Sequence, residues 1–534
     1  MRRSVLDTVN LEATRAFDRE HVTPYIRARR GRFRVESLVC PIPGLADERW
    51  TLDTGDDLER LRALVEHLDP ETPPALAEIL SVSDSLAARP DPEPEIEARA
   101  GDNEGRYTGS DALLERAERT IPLGSQTFSK SRIQYPQAAA PLFLDHGDAG
   151  RVWDVDGNEY VDLVSGLLPI VLGYRDPDVD TAIRRQLAAG ITFSLATELE
   201  AALAERLVRL IPCAEMVRFG KNGSDVTSAA VRLARAATGR DRVVMTGYHG
   251  WQDWYIGATP RHLGVPDAVR ALSTTMPFND LDAMEDLFAR QGDEIAALVV
   301  EPASAAEPHE GYLEGLRDLT LQHGALLVFD EVITGCRWAA GGAQAHYGVV
   351  PDLAAFGKAM GNGMPISAIV GKGEYMRLME DIFFSATFGG EALSLAAAIA
   401  TLDKLEREEV PARLWSYGGE LKHAAEDRIA TAGLNDVIAL QGAAPWPILA
   451  FHDRGGTNAA AIKTLFLREM LAAGVLINAS HNVCFAHDDE DRDIVLAAYD
   501  RALDTVKGAL DAGDVLSRIG GTPIEPVFSV RKSA

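Results

Sequence analysis

GALLVFDEVITGCR (324–337) and PDLAAFGKAMGNGMP (351–365) together decide the fold of this chain. The run ALLVF (325–329) is short and continuously apolar, which is typical of a strand buried on both faces. It ends in Asp330, and the second apolar stretch leads to Lys358 among glycines. A carboxylate at the end of a buried strand is costly unless it has a partner, so the pattern indicates a ligand site at the strand ends.

Similar apolar runs recur on both sides of this region. RVVMT (242–246), IAALVVEP (295–302) and PISAIVG (365–371) predict further strands. GLRDLTLQHG (315–324) predicts a helix that ends at Gly324. Strands that alternate with helices in this rhythm predict an α/β fold, with a mainly parallel sheet flanked by helices on both faces.

The length predicts more than one domain, since 534 residues exceed the roughly 100 to 200 residues of a typical domain. The stretch DPEPEIEARAGDNEG is rich in Pro, Asp, Glu and Gly, which is typical of a linker. Long helical patterns follow the strands, among them ALSLAAAIATLDKLERE (392–408). We expect an N-terminal segment (1–90), an acidic linker (91–105), the first part of a small domain (106–165), a large domain (166–400), the rest of the small α/β domain (401–510) and a tail (511–534).

Composition excludes several functional classes. The net charge is −27, so broad contact with nucleic acid or an anionic membrane is disfavoured. No apolar run is long enough to span a bilayer, and the N-terminus lacks the apolar region of a secretory signal. The four cysteines lie far apart without zinc-ligand spacing, so we expect no metal site and a reducing, cytoplasmic location. They are Cys40, Cys213, Cys336 and Cys484.

Lys358 stands in FGKAMGNGMP (356–365), directly after an apolar stretch. A lysine partly desolvated at a strand end can lose its proton and form a Schiff base with a carbonyl compound. The neighbouring glycines would let a flat cofactor approach the backbone. Taken by itself, the segment also fits a surface lysine in a turn, which is the usual position of a lone lysine.

Asp330 is the second candidate for chemistry. At the end of its strand it could keep the pyridine nitrogen of pyridoxal 5′-phosphate (PLP) protonated, which makes the ring an electron sink. The alternative is a helix N-cap, because Asp is a preferred capping residue.

KNGSDVTSAAVRLARAATG (221–239) predicts a helix opened by Asn222, Gly223 and Ser224. The free N–H groups and the positive dipole end of such a helix suit a phosphate. The alternative is a plain N-cap at Ser224, and the two interpretations are compatible.

GYHGWQDW (247–254) follows a predicted strand and concentrates aromatic residues there. Tyr248 or His249 could stack on the face of a pyridine ring. The alternative for Trp251 and Trp254 is packing in the core or at an interface.

The order of these segments resembles the class III aminotransferases, which are PLP enzymes of fold type I, and in particular the branch with glutamate-1-semialdehyde 2,1-aminomutase. The resemblance covers roughly residues 110 to 505. The segments that carry it are DVDGNEYVDLVSGLLPIVLGYRDPDV (154–179), TELE (197–200), RLARAATGR (232–240), VVEP (299–302), GALLVFDEVITGCR (324–337), PDLAAFGKAMGNGMP (351–365) and ATFGGEALSLAAA (386–398).

The resemblance implies a PLP cofactor and a role for each matching position. Lys358 would form the Schiff base and Asp330 would hold the pyridine nitrogen, as the two catalytic residues. Tyr248 would stack on the ring, and Val332 would pack under it. Thr387 would reach the phosphate from the neighbouring subunit, which implies a homodimer with shared sites. The cofactor-binding residues implied are Asn222, Gly223, Ser224, Tyr248, His249, Asp330, Val332, Lys358 and Thr387.

Positions that would face the substrate depart from the aminomutases. Their substrate-carboxylate arginine falls near Lys130, and Trp251 replaces a histidine. Their asparagine beside the ring oxygen is replaced within EPASAAEP, which begins at Glu301. Their late glutamate has no counterpart in NASHNVCFAH (478–487). We therefore expect Lys130, Trp251 and Glu301 to contact a different substrate. Further hydrogen-bonding candidates in the divergent segments are Gln126, Ser129, His249, Asn478 and His481.

The N-terminal segment resembles a different family. FDREHVTPYIR (17–27) and RWTLDTGDDLERLRALVEHL (49–68) are similar to the C-terminal part of cytidylyltransferases that activate acidic sugars, and of related spore-coat polysaccharide proteins. Asp53 would match a metal-binding acid there, but the nucleotide-phosphate loop of that family has no match. The resemblance implies a setting in cell-surface polysaccharide biosynthesis without transferase activity in this segment. The alternative is an extension of unrelated origin.

The leading hypothesis for function is an aminotransferase that moves an amino group from a donor to a keto or aldehyde acceptor, such as a sugar derivative. The alternatives are an intramolecular aminomutase and a non-catalytic member of a glycan assembly complex. Lys358 and Asp330 argue against the last alternative.

Lys358→Ala is expected to abolish turnover, because no other lysine stands at the matching position, while PLP could still bind through its phosphate. Borohydride reduction of the wild-type holoenzyme followed by peptide mapping should place the pyridoxyl label on Lys358. A label on another lysine would contradict the assignment.

Overall fold

A computed structural model describes residues 105–524 of the chain. The N-terminal segment (1–90), the linker up to residue 104 and residues 525–534 lie outside the described residues, so the predictions for them stay predictions. The strands are β1 (Leu144–Asp148), β2 (Arg151–Asp154), β3 (Glu159–Asp162), β4 (Met216–Gly220), β5 (Arg242–Thr246), β6 (Ser273–Thr275), β7 (Ile295–Val300), β8 (Leu326–Asp330), β9 (Leu353–Phe356), β10 (Ser367–Gly371), β11 (Ile438–Gln441), β12 (Ile448–Phe451) and β13 (Val475–Leu476).

The helices confirm the predicted alternation with strands. They are α1 (Thr108–Glu118), α2 (Pro177–Ala189), α3 (Glu198–Leu210), α4 (Gly223–Thr238), α5 (Asp253–Ile256), α6 (Asp267–Arg270), α7 (Leu281–Gln291), α8 (Tyr312–His323), α9 (Ala343–Tyr347), α10 (Gly373–Met376), α11 (Ala392–Arg407), α12 (Val410–Ala432), α13 (Ala459–Ala472), α14 (Asp489–Ala512) and α15 (Val515–Ile519). Helix α8 ends at Gly324, which has the left-handed φ of 65° expected of a helix C-cap.

The central sheet has seven strands in the order β4-β10-β9-β8-β7-β5-β6. Strand β10 is antiparallel to β4 and β9, whereas β5, β6, β7, β8 and β9 pair in parallel. The predicted α/β fold with a mainly parallel sheet is therefore confirmed.

Both faces of this sheet are covered, which explains the continuous apolar runs. Along β7, Leu298 and Val300 belong to one hydrophobic core, and Ala297 and Val299 belong to the core on the opposite face. Every residue of β7 is buried. Since burial of a Val or Leu side chain contributes about 1.5–3 kcal/mol, a strand buried on both faces cannot alternate with polar residues without a large loss.

A second sheet joins distant parts of the chain. It has the order β1-β2-β3-β13, and β13 pairs in parallel with β3. Residues 144–162 and 475–476 thus share one sheet. The predicted division of a small domain between 106–165 and 401–510 is compatible with this pairing.

Two of the alternative interpretations of local structure are wrong. Asn222, not Ser224, caps α4, because its side chain accepts from the backbone of Asp225 and the Asp225 carboxylate accepts from the backbone of Asn222. Asp330 is not a helix N-cap either, since the residues after it form turns.

Membrane spans, metal sites and cysteines can be described for residues 105–524. None of the helices between residues 105 and 524 is long and apolar enough to cross a bilayer. In the same range no three His, Cys, Asp or Glu side chains are grouped as metal ligands. Cys213, Cys336 and Cys484 are buried free thiols.

Candidate active site

The carboxyl ends of the parallel strands collect the candidate residues on one edge of the sheet. Asp330 ends β8, and Glu301 follows β7. His249 lies three residues after β5, and Lys358 lies two residues after β9. Because Asp330 is paired with Ala355 of β9, the acid and the lysine come from neighbouring strands. Sites in open α/β sheets form at this edge.

Asp330 and His249 form a buried pair. His249 Nδ1 lies 2.8 Å from Asp330 Oδ2, and Nε2 lies 3.0 Å from the carbonyl oxygen of Thr246. The carbonyl oxygen only accepts, so Nε2 donates to it and Nδ1 faces the carboxyl group. The other carboxyl oxygen, Oδ1, accepts from the N–H of Val332 at 3.1 Å. The carboxyl group is thereby fixed in orientation.

The first turn of α4 lies beside the residues that precede Lys358. A Cβ on Gly223 would lie 3.0 Å from Cγ1 of Val332, and a Cβ on Gly357 would lie 3.7 Å from the same atom. Val332 therefore sits between the start of α4 and the lysine turn. The backbone N–H groups of Gly223 and Ser224 have no partner inside the helix, which suits an anion.

The loop after β5 is bound to α4 along one face of the helix. The Thr227 hydroxyl donates to the carbonyl of His249 at 3.1 Å, and the Trp254 indole donates to Ser228 Oγ at 3.0 Å. Gly250, with a φ of 99°, lies so close to Ser224 that a Cβ there would collide with its hydroxyl. Helix α4 and the loop 247–254, which carries the aromatic residues, therefore form one unit.

Lys358 is half-buried and opens a 3-10 turn that ends at Asn362. Its φ is 43°, a conformation that is strained for a residue with a side chain and that clusters at functional sites. Asn362 holds this turn in place. Its Oδ1 accepts from the N–H groups of Val171 at 3.0 Å and Leu172 at 2.9 Å, and its Nδ2 donates to the carbonyl of Gly173 at 3.0 Å.

The residues present fit PLP. The free N–H groups at the start of α4 suit its phosphate, Asp330 suits its pyridine nitrogen and Lys358 suits its aldehyde. Gly223 allows the start of α4 to pack closely on Val332, because a Cβ there would lie 3.0 Å from Cγ1 of that side chain.

Comparison with known proteins agrees with this geometry. The family described as Aminotransferase class-III matches residues 134–485. This chain is a class III aminotransferase. The enzyme uses PLP, as does its family.

Individual relatives cover most of the chain. A 3-aminobutyryl-CoA aminotransferase of Cloacimonas acidaminovorans (strain Evry) is 35% identical over 414 residues, which are 75% of this chain and 97% of the relative. The structure of the PLP internal aldimine form of the FumI protein of Sphingopyxis sp. MTA144 has a TM-score of 0.70 and 31% identity, and covers 76% of this chain and 97% of that one. A glutamate-1-semialdehyde aminomutase of Pseudomonas aeruginosa PAO1 has a TM-score of 0.67 over 76% of this chain and 96% of its own, and at 24% identity shows the shared fold alone.

The three predicted substrate residues, and Thr387 as the predicted contact to the partner's phosphate, lie in different settings in the aminotransferase. Lys130 lies in an exposed 3-10 turn, and Trp251 is 66% exposed. Glu301 is buried at 4% exposure. Thr387 lies in an exposed turn next to Gly389, where a Cβ would lie 3.1 Å from the carbonyl oxygen of Phe219 at the end of β4.

The suggestion that His481 offers hydrogen bonds to a substrate is wrong. Its ring is buried, its Nδ1 faces the carbonyl of Pro447 at 3.3 Å, and its Nε2 lies 2.7 Å from the hydroxyl of Tyr499. Both nitrogens are thus used inside the protein. Burial lowers the pKa of His481 to about 4, so the ring is a neutral core residue.

Sequence reasoning missed Asn362 and Thr227. Both act through backbone groups that are remote in sequence, so no local pattern marks them. One signal was available for Asn362, because Asn is the residue other than Gly that most readily adopts a left-handed conformation in a turn, and its φ is 42°.

Asn362→Ala should lower the free energy of unfolding by about 2–4 kcal/mol, because two buried N–H groups and one carbonyl lose their partner and Ala is strained at this φ. The measurement is denaturant unfolding of the apoprotein together with PLP retention. Asn362→Gly is the matched control, since it removes the same hydrogen bonds and relieves the strain; it should be less destabilising by about 1 kcal/mol. Unchanged stability in both variants would refute the anchoring role.

Proposed function

We propose that this aminotransferase carries PLP on Lys358 and transfers an amino group between two separate molecules. PLP bound there would act as an electron sink for the carbon that carries the amino group. Once displaced from the cofactor, the Lys358 amine would remove and return the proton on the reacting carbon. Asp330 would hold the pyridine nitrogen, with its own orientation fixed by His249. The observation that carries the proposal is the placement of Lys358, Asp330 and the first turn of α4 around Val332.

The residues around Lys130 favour an acceptor that has no carboxylate bound next to the reacting carbon. Lys130 offers only a point charge on an exposed turn, and it cannot form the two-pronged contact of an arginine. Arg132, two residues on, is already engaged, because its Nε lies 2.6 Å from Glu118 Oε1. The one arginine of the segment 125–132 is therefore paired with a carboxylate of the protein.

Two acceptor classes have specific support. The similarity to a 3-aminobutyryl-CoA aminotransferase over three quarters of the chain favours a 3-oxoacyl thioester, in which one carbon separates the ketone from the thioester carbonyl. The resemblance of residues 17–68 to sugar-activating cytidylyltransferases favours a keto-sugar derivative in cell-surface polysaccharide biosynthesis. We place the thioester first, since its support comes from the catalytic part of the chain.

The PLP-loaded enzyme with an amino donor should aminate a 3-oxoacyl thioester or a nucleotide-linked keto-sugar, with one donor consumed for each amine formed. Mass spectrometry of the products and the amino balance measure this, and Lys358→Ala is the control for non-enzymatic transfer. Efficient formation of 5-aminolevulinate from glutamate 1-semialdehyde without any donor would instead establish the intramolecular aminomutase.

We also propose a homodimer in which Thr387 completes the partner's phosphate site. Large apolar side chains are exposed close to Thr387 in sequence, with Phe383 at 84% and Phe388 at 56%. Leu195 is 85% exposed, and its segment is tied to the start of α11 by the bond from the Ala392 N–H to the Ile191 carbonyl. An exposed apolar patch of this kind is typical of a protein–protein interface.

Mixed dimers of Lys358→Ala and Thr387→Glu protomers should regain activity. Glutamate at 387 would place a negative charge against the phosphate of the partner, so each variant alone should be nearly inactive. After unfolding and refolding together, half of the dimers are mixed and each has one intact site, which restores roughly a quarter of the wild-type activity. Failure to complement, or an active monomer in sedimentation, would contradict shared sites.

A further inference from the structure

The turn Gly247–His249 carries two side chains towards the cofactor edge. His249 contacts Asp330, and Tyr248 is the aromatic residue expected on the ring face. The position of both depends on how the backbone of this turn is held. The turn is anchored by three contacts from other elements.

Two of these contacts hold the ends of the turn. The hydroxyl of Tyr255 in α5 donates to the carbonyl of Gly247 at 3.2 Å. The hydroxyl of Thr227 in α4 donates to the carbonyl of His249 at 3.1 Å. Both are contacts to carbonyl groups, so neither fixes the N–H group of the central residue.

Glu301 holds the centre of the turn. Its Oε2 accepts from the backbone N–H of Tyr248 at 3.0 Å. The residue is 4% exposed and directly follows β7, the neighbour of both β5 and β8. A buried carboxylate that accepts a backbone N–H is a strong and well-oriented contact.

The backbone is adapted to this carboxylate. Gly247 has a φ of 99°, in the region that favours glycine. A Cβ at Gly247 would collide with Oε2 of Glu301 and would lie 3.0 Å from both Cγ and Cδ. Any other residue would force the carboxylate away from the turn, so the glycine and the glutamate form a matched pair.

We propose that Glu301 is a positioning residue, and that its bond to the Tyr248 N–H sets the Tyr248 ring over the cofactor and His249 against Asp330. This replaces the expectation that Glu301 contacts the substrate. The inference rests on the proposed function, because it assumes that PLP lies at this edge of the sheet. The proposal requires that an acceptor oxygen of residue 301 reaches the Tyr248 N–H, as Oε2 does at 3.0 Å. It does not require that this oxygen carries a negative charge.

Two substitutions at Glu301 separate the role of the acceptor oxygen from the role of the negative charge. Glu301→Gln keeps an acceptor oxygen at the same reach and removes the charge, whereas Glu301→Asp keeps the charge and withdraws it by one methylene. Glu301→Asp should weaken PLP binding about tenfold, because one hydrogen bond to a charged group is lost. Glu301→Gln should stay within about threefold of the wild type.

The readouts are PLP affinity, from titration of the apoprotein, and the circular dichroism of bound PLP, which reports the asymmetry of its surroundings. KM values for donor and acceptor should stay unchanged in both variants, while kcat falls in Glu301→Asp. Thr227→Val, which loosens the same turn from the other side, should change the dichroism in the same direction as Glu301→Asp. If Glu301→Asp fails to fold, Thr227→Val still tests whether a loosened turn changes the surroundings of bound PLP.

Glu215 provides a matched control, since its Oε2 accepts the N–H of Gly373 at 2.7 Å, ahead of β4 and outside the site. Glu215→Asp should leave PLP affinity and dichroism unchanged. A loss of PLP affinity in Glu301→Gln as large as that in Glu301→Asp would show that charge matters, and wild-type affinity in both variants would show that the bond is not needed; either result would overturn the proposal. A raised KM with unchanged PLP affinity in Glu301→Asp would indicate that Glu301 contacts the substrate and would overturn the proposal. A wild-type enzyme that binds PLP but transfers no amino group would count against the proposed function and leave the positioning test intact.

Discussion

A buried carboxylate at the end of the central strand is the constraint on which the rest of the site depends. Asp330 can lie at 5% exposure only because His249 and the Val332 N–H supply hydrogen bonds that water would otherwise supply. His249 is in turn held by the Thr246 carbonyl. Both partners of Asp330 lie in turns that closely follow strands of the sheet, and a cofactor ring placed against the acid would take its orientation from them.

The same region couples cofactor binding to the fold. Helix α4 presents its first turn to an anion and, on the adjoining face, Thr227 and Ser228 bind the loop that carries Tyr248 and His249. Helix and loop cannot move independently without loss of these hydrogen bonds. Phosphate binding at the start of α4 would thus stabilise the loop, and a loosened loop would weaken cofactor binding without any direct contact.

Three other predicted site residues have a different setting. Lys130, Trp251 and Thr387 lie on exposed segments, away from the paired interior of the sheet. Such segments can change without cost to the core, so substitutions there would leave the sheet and the position of Asp330 unchanged.

The sequence by itself determined the α/β class, the strand that ends in Asp330, the position of Lys358 and the helix that begins at residue 223, because burial on both faces and helix periodicity leave a local pattern. It did not determine which polar residues are engaged. His481 was a candidate for contacting the substrate and proved to be a core residue, whose partner Tyr499 lies 18 positions away in sequence. Asn362 was missed, because its partners lie about 190 positions away and leave no periodic pattern in the sequence. Glu301 was expected to face the substrate, whereas the tertiary structure alone placed its carboxylate on the Tyr248 N–H. Hydrogen bonds between distant segments depend on the packing of whole elements, and that packing is decided only when the sheet has formed.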